Sequence, residues 1–339
     1  MTADTSAFVE RLFIRAVKKQ ASDIHFHPSP TYQNVAIFFR ILGERTFIQR
    51  IPLTFYQRML TYVKFRANLD IGENKRPQNG TITFTSENNS FHLRISTLPI
   101  QRLESLTIRL FPQRVPPALE DLVLFSFQAS KIRKWIYQPN GLLLISGPTG
   151  SGKSTLMYSL LQELIDQRNC QIVTLEDPVE RQIENALQVE INERAGMTYE
   201  EGLRAALRHD PDVLLVGEIR DEKTAKFTIR SALTGHLVLS TIHAKDLSGT
   251  VERLVDLGIS RTDLSQTVVG IASLRLLPII SYGKIHRRAL IMEMLDGELL
   301  QSLIQQEPFT RRHTDTFANL KEKAWCYGFI DKKLLTHYS

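Results

Sequence analysis

Four short apolar runs in the second half of the chain constrain its fold more than any other feature. They are LLLIS at 142–146, IVTL at 172–175, VLLV at 213–216 and LVLST at 237–241, and each gap between them is long enough for a helix. A strand that is apolar at every position is buried on both faces, which is typical of a parallel sheet covered by helices. This pattern predicts an α/β fold.

The first third of the chain has a different pattern. Helical periodicity over 6–19 and 55–69 is interspersed with alternating runs that favour half-buried strands, and turns are expected at Ser29-Pro30 and Gln78-Asn79-Gly80. The cluster Pro112, Pro116 and Pro117 suits neither a helix interior nor a central strand. We therefore predict an N-terminal α+β domain at 1–111, a linker at 112–128 and a second domain at 129–339. The predicted strands are DIHFHP, VAIFFRI, GTITFT, FHLRIS and LTIRLF.

Composition fits two folded domains. The chain has 339 residues, 42% of them hydrophobic and 23% charged, which excludes a disordered protein. The formal net charge of +6 is compatible with an acidic partner but does not demand one. The apolar segment 268–280 is shorter than the roughly 18 residues of a membrane span and contains Arg275, so it is expected in a core. No signal peptide is recognisable at the N-terminus, so a cytoplasmic location is expected.

Zinc is not expected in this protein. Its two cysteines, Cys170 and Cys326, lie far apart and form no CxxC pair, so they provide neither a disulfide framework nor a thiolate zinc site.

The strand at 142–146 leads directly into a glycine-rich loop and then a helical segment. This order of strand, GxxxxGK[ST] and helix is the P-loop arrangement. Its glycines let backbone N–H groups surround the β-phosphate, Lys153 reaches the β- and γ-phosphates, and the Ser154 hydroxyl binds Mg²⁺. The loop therefore predicts ATP and Mg²⁺ as cofactors. The predicted nucleotide-binding residues are Gly147, Pro148, Thr149, Gly150, Ser151, Gly152, Lys153, Ser154 and Thr155.

Acidic residues follow two of the buried strands. Glu176 opens EDPVE at 176–180 after one strand, and Glu218 follows VLLV and Gly217, which stands where many P-loop enzymes have an aspartate. Either residue alone could be an ordinary solvated strand end. Their joint position at the carboxyl edge favours metal and water positioning. We expect Glu218 to be the general base and Glu176 to organise Mg²⁺ and its waters, although the sequence also allows the reverse.

Two histidines flank the last of the four runs. His243 follows it, where it could sense the γ-phosphate or could be structural, and His236 precedes it with the same ambiguity.

The motifs together resemble the secretion ATPases of type II secretion systems, type IV pili and competence pseudopili. GPTGSGKST at 147–155 is similar to their Walker A motif, LEDPVE at 175–180 to their Asp box, LRAALRHDPDVLLVGEIRD at 203–221 to their Walker B motif and TGHLVLSTIHAKD at 234–246 to their His box. The resemblance extends into the N-terminal domain through the segments ASDIHFHP at 21–28, LDIGENKRPQNG at 69–80 and HLRIS at 92–96. The resemblance implies a RecA-like ATPase domain after the α+β domain, and MgATP hydrolysis.

The resemblance also implies a homo-oligomeric ring, expected to be a hexamer, acting on an inner-membrane assembly platform and through it on pilin-like subunits. The protein would be cytoplasmic and peripheral at the cytoplasmic face of the membrane. In such rings, arginines of the N-terminal domain approach the bound phosphates, and Arg94 and Arg109 match these arginines by position. Without the resemblance, both would be interpreted as solvated residues at strand edges. Direct sequence-specific nucleic acid binding is not expected.

Departures from the family pattern indicate which branch of the family the chain resembles. Gln78-Asn79-Gly80-Thr81 lacks the acid and the arginine that relatives often have there. The segment 273–295 lacks the tetracysteine zinc subdomain of many secretion members. Retraction ATPases are similarly short, but the segment 240–260 resembles the assembly ATPases more. A short, zinc-free chain of the assembly type resembles the Gram-positive competence pseudopilus assembly ATPases most. A pilus retraction ATPase, a nucleotide-gated scaffold with negligible turnover and a DNA-translocating motor remain alternatives.

Overall fold

The computed structural model describes residues 2–29, 31–86, 89–101, 103–112, 115–281, 284–308 and 316–335. The chain divides into two compact units. The first comprises Met1–Arg114 with Glu180–Gln182, and the second Val115–Val179 with Ile183–Ser339. The architecture is α/β, as the sequence predicted, with an antiparallel sheet in the first unit and a mainly parallel sheet in the second.

The first unit is a six-stranded antiparallel sheet with two helices on one face. The strand order is β3-β2-β1-β6-β5-β4. Both helices bury apolar side chains against alternate residues of the strands, such as Val9 and Phe13 of the first helix and Met59 of the second. The elements are α1 (Thr2–Lys18), β1 (Ala21–Ser29), β2 (Asn34–Ile41), β3 (Glu44–Pro52), α2 (Leu53–Arg66), β4 (Gln78–Ser86), β5 (Asn89–Ile100) and β6 (Leu103–Pro112).

The turn predicted at Gln78-Asn79-Gly80 is wrong, because these residues begin strand β4 and pair with β5. Glycine is needed at position 80 because β4 passes close to the backbone at the end of α2, not because the chain turns there. A Cβ on Gly80 would lie 2.5 Å from the carbonyl oxygen of Ala67, just beyond α2. Strand β3 is not among the strands predicted from the sequence. Of the other predicted turn, Ser29 ends β1 and Pro30 lies outside the described residues.

The second unit is a seven-stranded sheet in the order β13-β12-β7-β11-β10-β8-β9. Every neighbouring pair is parallel except β12 and β13. The elements are α3 (Leu119–Leu122), α4 (Ser126–Ile136), β7 (Gly141–Ser146), α5 (Lys153–Arg168), β8 (Ile172–Glu176), β9 (Ala186–Glu190), α6 (Tyr199–Ala206), β10 (Val213–Ile219), α7 (Glu222–Leu233), β11 (Leu237–Ile242), α8 (Leu247–Asp256), α9 (Arg261–Thr267), β12 (Val268–Ser281), β13 (Lys284–Asp296), α10 (Gly297–Gln305) and α11 (Phe317–Cys326).

The four continuous apolar runs form the four central strands that follow β12 in this order. In β7, Leu143 and Ile145 enter the core on one side of the sheet and Leu142 and Leu144 the core on the other. All four are fully buried, which explains why the run is apolar at every position. The segment 268–280, expected in a core, forms most of β12. None of the helices among the described residues combines the length and apolarity needed to cross a bilayer.

The segment predicted as a linker, 112–128, contains α3 and the start of α4. Its side chains Leu119 and Phe125 are buried in cores of the second unit. The exact domain boundaries at 111 and 129 stay a prediction.

Candidate functional site

The glycine-rich loop lies between β7 and α5, at the carboxyl edge of the parallel strands. Gly147 has φ +147° and Gly152 has φ +94°, conformations that other residues rarely adopt. A Cβ on Gly147 would lie 2.7 Å from Ser151 Oγ, and one on Gly152 would lie 2.9 Å from a methyl carbon of Leu290. Glycine is therefore required at both positions by backbone conformation, and at Gly147 also by space, because the Leu274 carbonyl oxygen would lie 2.9 Å from its Cβ.

The start of α5 suits an anion. Gly152 is its N-cap and offers no side-chain cap, so the first N–H groups of this 16-residue helix have no capping side chain. Lys153 Nζ donates to the carbonyl oxygens of Gly147 (2.8 Å) and Pro148 (3.1 Å). Ser154 is exposed, so its hydroxyl is accessible to a metal ion bound with the phosphates. The cradle therefore fits a nucleotide phosphate.

A β-bulge in β10 orients Glu218, the glutamate of the predicted Walker B motif. Val216 pairs with Ser240 of β11 but Ile219 pairs with Ile242, so β10 carries one more residue than its partner between these pairs. A bulge of this kind turns a side chain away from the regular alternation. Thr241 Oγ1 donates to the Gly217 carbonyl oxygen at 2.7 Å and holds the bulge.

Gly217 is explained by close packing against β8. A Cβ at this position would lie 3.1 Å from the Leu175 carbonyl oxygen and 3.4 Å from Glu176 Cα. An aspartate at position 217 would therefore clash with the backbone of β8.

Glu218 lies between two nitrogen groups. Its Oε1 is 3.1 Å from His243 Nε2, and its Oε2 accepts a hydrogen bond from Arg220 Nε at 2.8 Å. Arg220 also donates from Nη1 to Asp177 Oδ2 at 3.1 Å. The predicted Asp box, Walker B motif and His box thus meet in one chain of contacts at the sheet edge, running from Asp177 through Arg220 and Glu218 to His243.

Two pKa shifts accompany this cluster. The hydrogen bond to Glu218 raises the pKa of Arg220 above its usual value, which keeps the guanidinium charged. Burial, with a smaller contribution from Asp177, raises the pKa of Tyr199 to about 12, so its phenol is protonated at neutral pH. Tyr199 begins α6, and its Oη is 3.6 Å from where a Cβ on Gly217 would be.

Glu176 is placed differently from Glu218. Its carboxylate is buried, and its Oε1 accepts hydrogen bonds from Thr174 Oγ1 (2.7 Å) and Gln188 Nε2 (3.2 Å). The Tyr158 hydroxyl on α5 donates to Oε2. These hydrogen bonds connect β8 and β9 with the helix that follows the P-loop.

Arg94 and Arg109 lie in the first unit, on β5 and β6, where they pair directly across the two strands. Both are exposed. The same row continues across β1 and β2 through Asp23, which pairs with Arg109 and with Arg40. Asp23 Oδ1 accepts a hydrogen bond from Arg109 Nε at 2.7 Å.

His236 lies at the opposite end of β11 from His243. Its Nδ1 is 3.1 Å from Thr234 Oγ1 and 3.3 Å from the Ser231 carbonyl oxygen, at the end of α7. These contacts explain it as a structural residue.

Sequence reasoning missed Arg220, Tyr199 and the Tyr158–Glu176 contact. Arg220 could have been suspected from its position within GEIRD, next to the predicted base. The two tyrosines carried no signal, because an aromatic residue on an amphipathic helix normally indicates a core position.

Among the described residues, no group of three or more His, Cys, Asp or Glu side chains is arranged to hold a metal ion. Cys170 and Cys326 are free thiols. The absence of zinc stays a prediction.

Comparisons with known proteins agree with this arrangement. Residues 2–309 match the model of the type II/IV secretion system protein family. The chain belongs to this family.

Family relatives include two proteins named competence protein ComGA. That of Halalkalibacterium halodurans is 40% identical over 337 residues, covering 95% of each chain, and that of Bacillus subtilis is 40% identical over 312 residues, covering 88% of this chain and 86% of the relative. A type II secretion system protein E of Pectobacterium carotovorum is 38% identical, but the match spans only 56% of that protein.

Solved structures similar to this chain include the pilus retraction motor PilT with bound ADP. It superposes with a TM-score of 0.75 at 26% identity, covering 98% of this chain and 96% of PilT. The Yersinia pseudotuberculosis ATPase DotB has a TM-score of 0.78 at 20% identity, covering 97% and 92% of the two chains, and supports the fold alone. Family and fold together support a secretion- or pilus-type ATPase.

Proposed function

We propose that this protein hydrolyses MgATP at its P-loop and uses the energy to drive assembly of a competence pseudopilus, a type IV pilus-like filament for DNA uptake. One observation carries the enzymatic part: Glu218, in contact with His243 and Arg220, lies on a strand two places from the one that leads into the P-loop. The pilus-assembly part is supported by 40% identity to two competence proteins over most of the chain.

The loop residues bind and orient the phosphates. Backbone N–H groups of the glycine-rich loop would surround the β-phosphate, and Lys153 Nζ would leave the loop carbonyls to reach the β- and γ-phosphates. The Ser154 hydroxyl would hold Mg²⁺. When bound, the ion neutralises charge that develops on the phosphate oxygens.

Glu218 is the proposed general base, because its carboxylate is only partly buried and lies at the sheet edge. Its Oε1 takes a proton from the attacking water, while Arg220 fixes Oε2 and His243 Nε2 orients Oε1. Glu176 would organise the metal and its waters in this proposal, which requires one of the donors named above to turn away. The reverse assignment of the two glutamates remains the alternative.

The first unit supplies charge to the transition state. We assign this role to Arg94 and Arg109, acting on a nucleotide of a neighbouring subunit in a homo-oligomer, a hexameric ring in the simplest case. Guanidinium groups donate to phosphate in a bidentate manner and stay charged. The ring would act at the cytoplasmic face of the inner membrane, on a platform protein and through it on pilin-like subunits.

Steady-state phosphate release from the purified oligomer tests the enzymatic proposal. A motor releases phosphate continuously with ATP and Mg²⁺, whereas a nucleotide-gated scaffold binds ATP with negligible turnover. Stimulation by DNA that disappears with added salt would instead indicate a DNA-translocating motor.

Gene deletion tests the biological role. Loss of transformation together with loss of pseudopilus extension is expected for an assembly ATPase. Filaments that extend but no longer retract would point to the retraction role of PilT, to which the chain is 26% identical.

A further inference from the structure

Three buried hydroxyl groups cluster around the first glycine of the P-loop. Of the buried side-chain nitrogen and oxygen atoms that lack a hydrogen-bond partner in the described part of the second unit, all are serine hydroxyls: Ser146 Oγ, Ser151 Oγ and Ser273 Oγ. Buried hydroxyls normally have hydrogen-bond partners. Three unpartnered hydroxyls at one place are therefore unusual and need a physical explanation.

All three surround Gly147. Ser146 precedes it in the chain, and Ser273 pairs with Ser146 on the adjacent strand β12. Ser151 Oγ would lie 2.7 Å from a Cβ on Gly147, and the carbonyl oxygen of Leu274, next to Ser273, would lie 2.9 Å from the same point. The unpartnered donors therefore border the backbone of one residue.

The Gly147 carbonyl oxygen is held by Lys153 in this structure, through the 2.8 Å hydrogen bond from Nζ. If Lys153 turns toward a phosphate, this carbonyl loses that donor. Pro148, whose carbonyl Lys153 also contacts, is exposed, so water can replace the lysine there. Gly147 is buried, so its carbonyl needs a donor from the protein.

We propose that the serine hydroxyls replace Lys153 as hydrogen-bond partners of the Gly147 backbone when Lys153 turns toward a phosphate. Nucleotide binding then exchanges one set of hydrogen bonds for another. Ser151 donates to the Gly147 carbonyl oxygen. Ser146 and Ser273, which pair on strands β7 and β12, form hydrogen bonds to the same turn. The three serines are thus positioning residues for the phosphate-bound loop. The inference rests on the proposed nucleotide binding, but its central exchange can be tested without nucleotide.

Ser240 provides the matched comparison. It is buried in the same sheet, but its Oγ donates to the Val216 carbonyl oxygen at 2.7 Å. Ser240→Ala removes a hydrogen bond that exists in the resting protein, whereas Ser151→Ala and Ser273→Ala remove hydroxyls that have no partner there.

The first test is a double-mutant cycle on nucleotide-free protein, with melting temperature as the readout. With Lys153 intact, Ser151→Ala should leave the melting temperature unchanged or raise it. In a Lys153→Ala background, where the carbonyl has lost its lysine, Ser151→Ala should lower the melting temperature by roughly 2–4 °C, the effect of one hydrogen bond in a domain of this size. Ser240→Ala should lower it equally in both backgrounds.

Equal effects of Ser151→Ala in the two backgrounds would overturn the exchange. A fall already in the Lys153-intact protein would overturn it too, because it would mean that a buried water satisfies the hydroxyl at rest.

The second test measures ADP affinity by calorimetry. Ser273→Ala should weaken ADP binding about fivefold, corresponding to one lost hydrogen bond, without lowering the melting temperature of the free protein. Unchanged affinity would overturn the role of Ser273. If the wild-type protein does not bind ADP, the proposed function fails, and the nucleotide-free cycle still decides the exchange.

Discussion

Arg94 and Arg109 lie directly opposite each other on the antiparallel strands β5 and β6. Like charges in this arrangement destabilise a sheet, and a second such pair, Arg40 and Arg45, lies on β2 and β3 in the same row. Asp23, between the pairs, contacts Arg109 and Arg40. A row of four arginines with one carboxylate favours binding of an anion, which agrees with the proposed phosphate contact.

Mixing two inactive variants tests whether Arg94 acts on a neighbouring subunit. Arg94→Ala should keep nucleotide binding and lose turnover, since an arginine that completes a phosphoryl-transfer site contributes about 10³ to 10⁵ in rate. Lys153→Ala and Arg94→Ala proteins, inactive alone, should recover part of the phosphate release when mixed under subunit exchange.

Arg58→Ala serves as the control for the mixing experiment, because Arg58 is an exposed arginine on α2, on the helical side of the same unit. It should be active without mixing. No recovery after demonstrated exchange would show that Arg94 acts within its own chain or only supports a strand.

Lys153→Ala should abolish ATP turnover while the protein stays folded. The lysine contributes a point charge to a loop whose shape is set by glycines at positive φ. Phosphate release and circular dichroism together check this, with exposed Lys134→Ala as the control for loss of a positive charge. A wild-type rate in the Lys153 variant would refute the P-loop assignment.

Glu218→Gln should bind ATP and retain it unhydrolysed. The amide keeps the size of the side chain and its hydrogen-bonding capacity near Arg220 and His243, but it cannot accept the proton of the attacking water. Filter binding of labelled ATP followed by analysis of the bound nucleotide measures this. Glu222→Gln, at an exposed ion pair with Lys226, should hydrolyse normally. Loss of ATP binding in the Glu218 variant would make Glu218 a structural residue.

Gly217→Ala should lower the free energy of unfolding by about 1–3 kcal/mol, the usual cost of an overpacked interior position. The new Cβ would lie 3.1 Å from a backbone oxygen of β8, which cannot move without disturbing the sheet. Gly72→Ala is the comparison, since its Cβ would meet only the Asp70 side chain at 3.5 Å. Chemical denaturation of both variants measures the difference, and equal stability would show that β8 and β10 can separate at no cost.

Metal analysis of the dialysed protein should find no stoichiometric zinc, because the two cysteines are isolated in the sequence. One zinc per chain would mean that ligands distant in sequence build a site.

Much of the site could be predicted because its residues lie in local motifs. GxxxxGKS specifies a phosphate loop through backbone freedom and one lysine, and acids after buried strands must lie at the carboxyl edge of a parallel sheet. Sequence could not show that Glu176 is enclosed by Thr174, Gln188 and Tyr158 while Glu218 stays accessible. Both glutamates follow apolar strands, and their difference arises from helix packing and a bulge.

The sequence alone determined the α/β class, the central strands and the phosphate loop, because periodicity and glycine placement act over a few neighbouring residues. The tertiary structure decided the contacts between distant residues: Arg220 between Asp177 and Glu218, the arginine row across the first sheet, and Gly80 as a point of close approach instead of a turn. These depend on strand order, register and packing distance. No local pattern encodes them, because each is set by two or more segments at once.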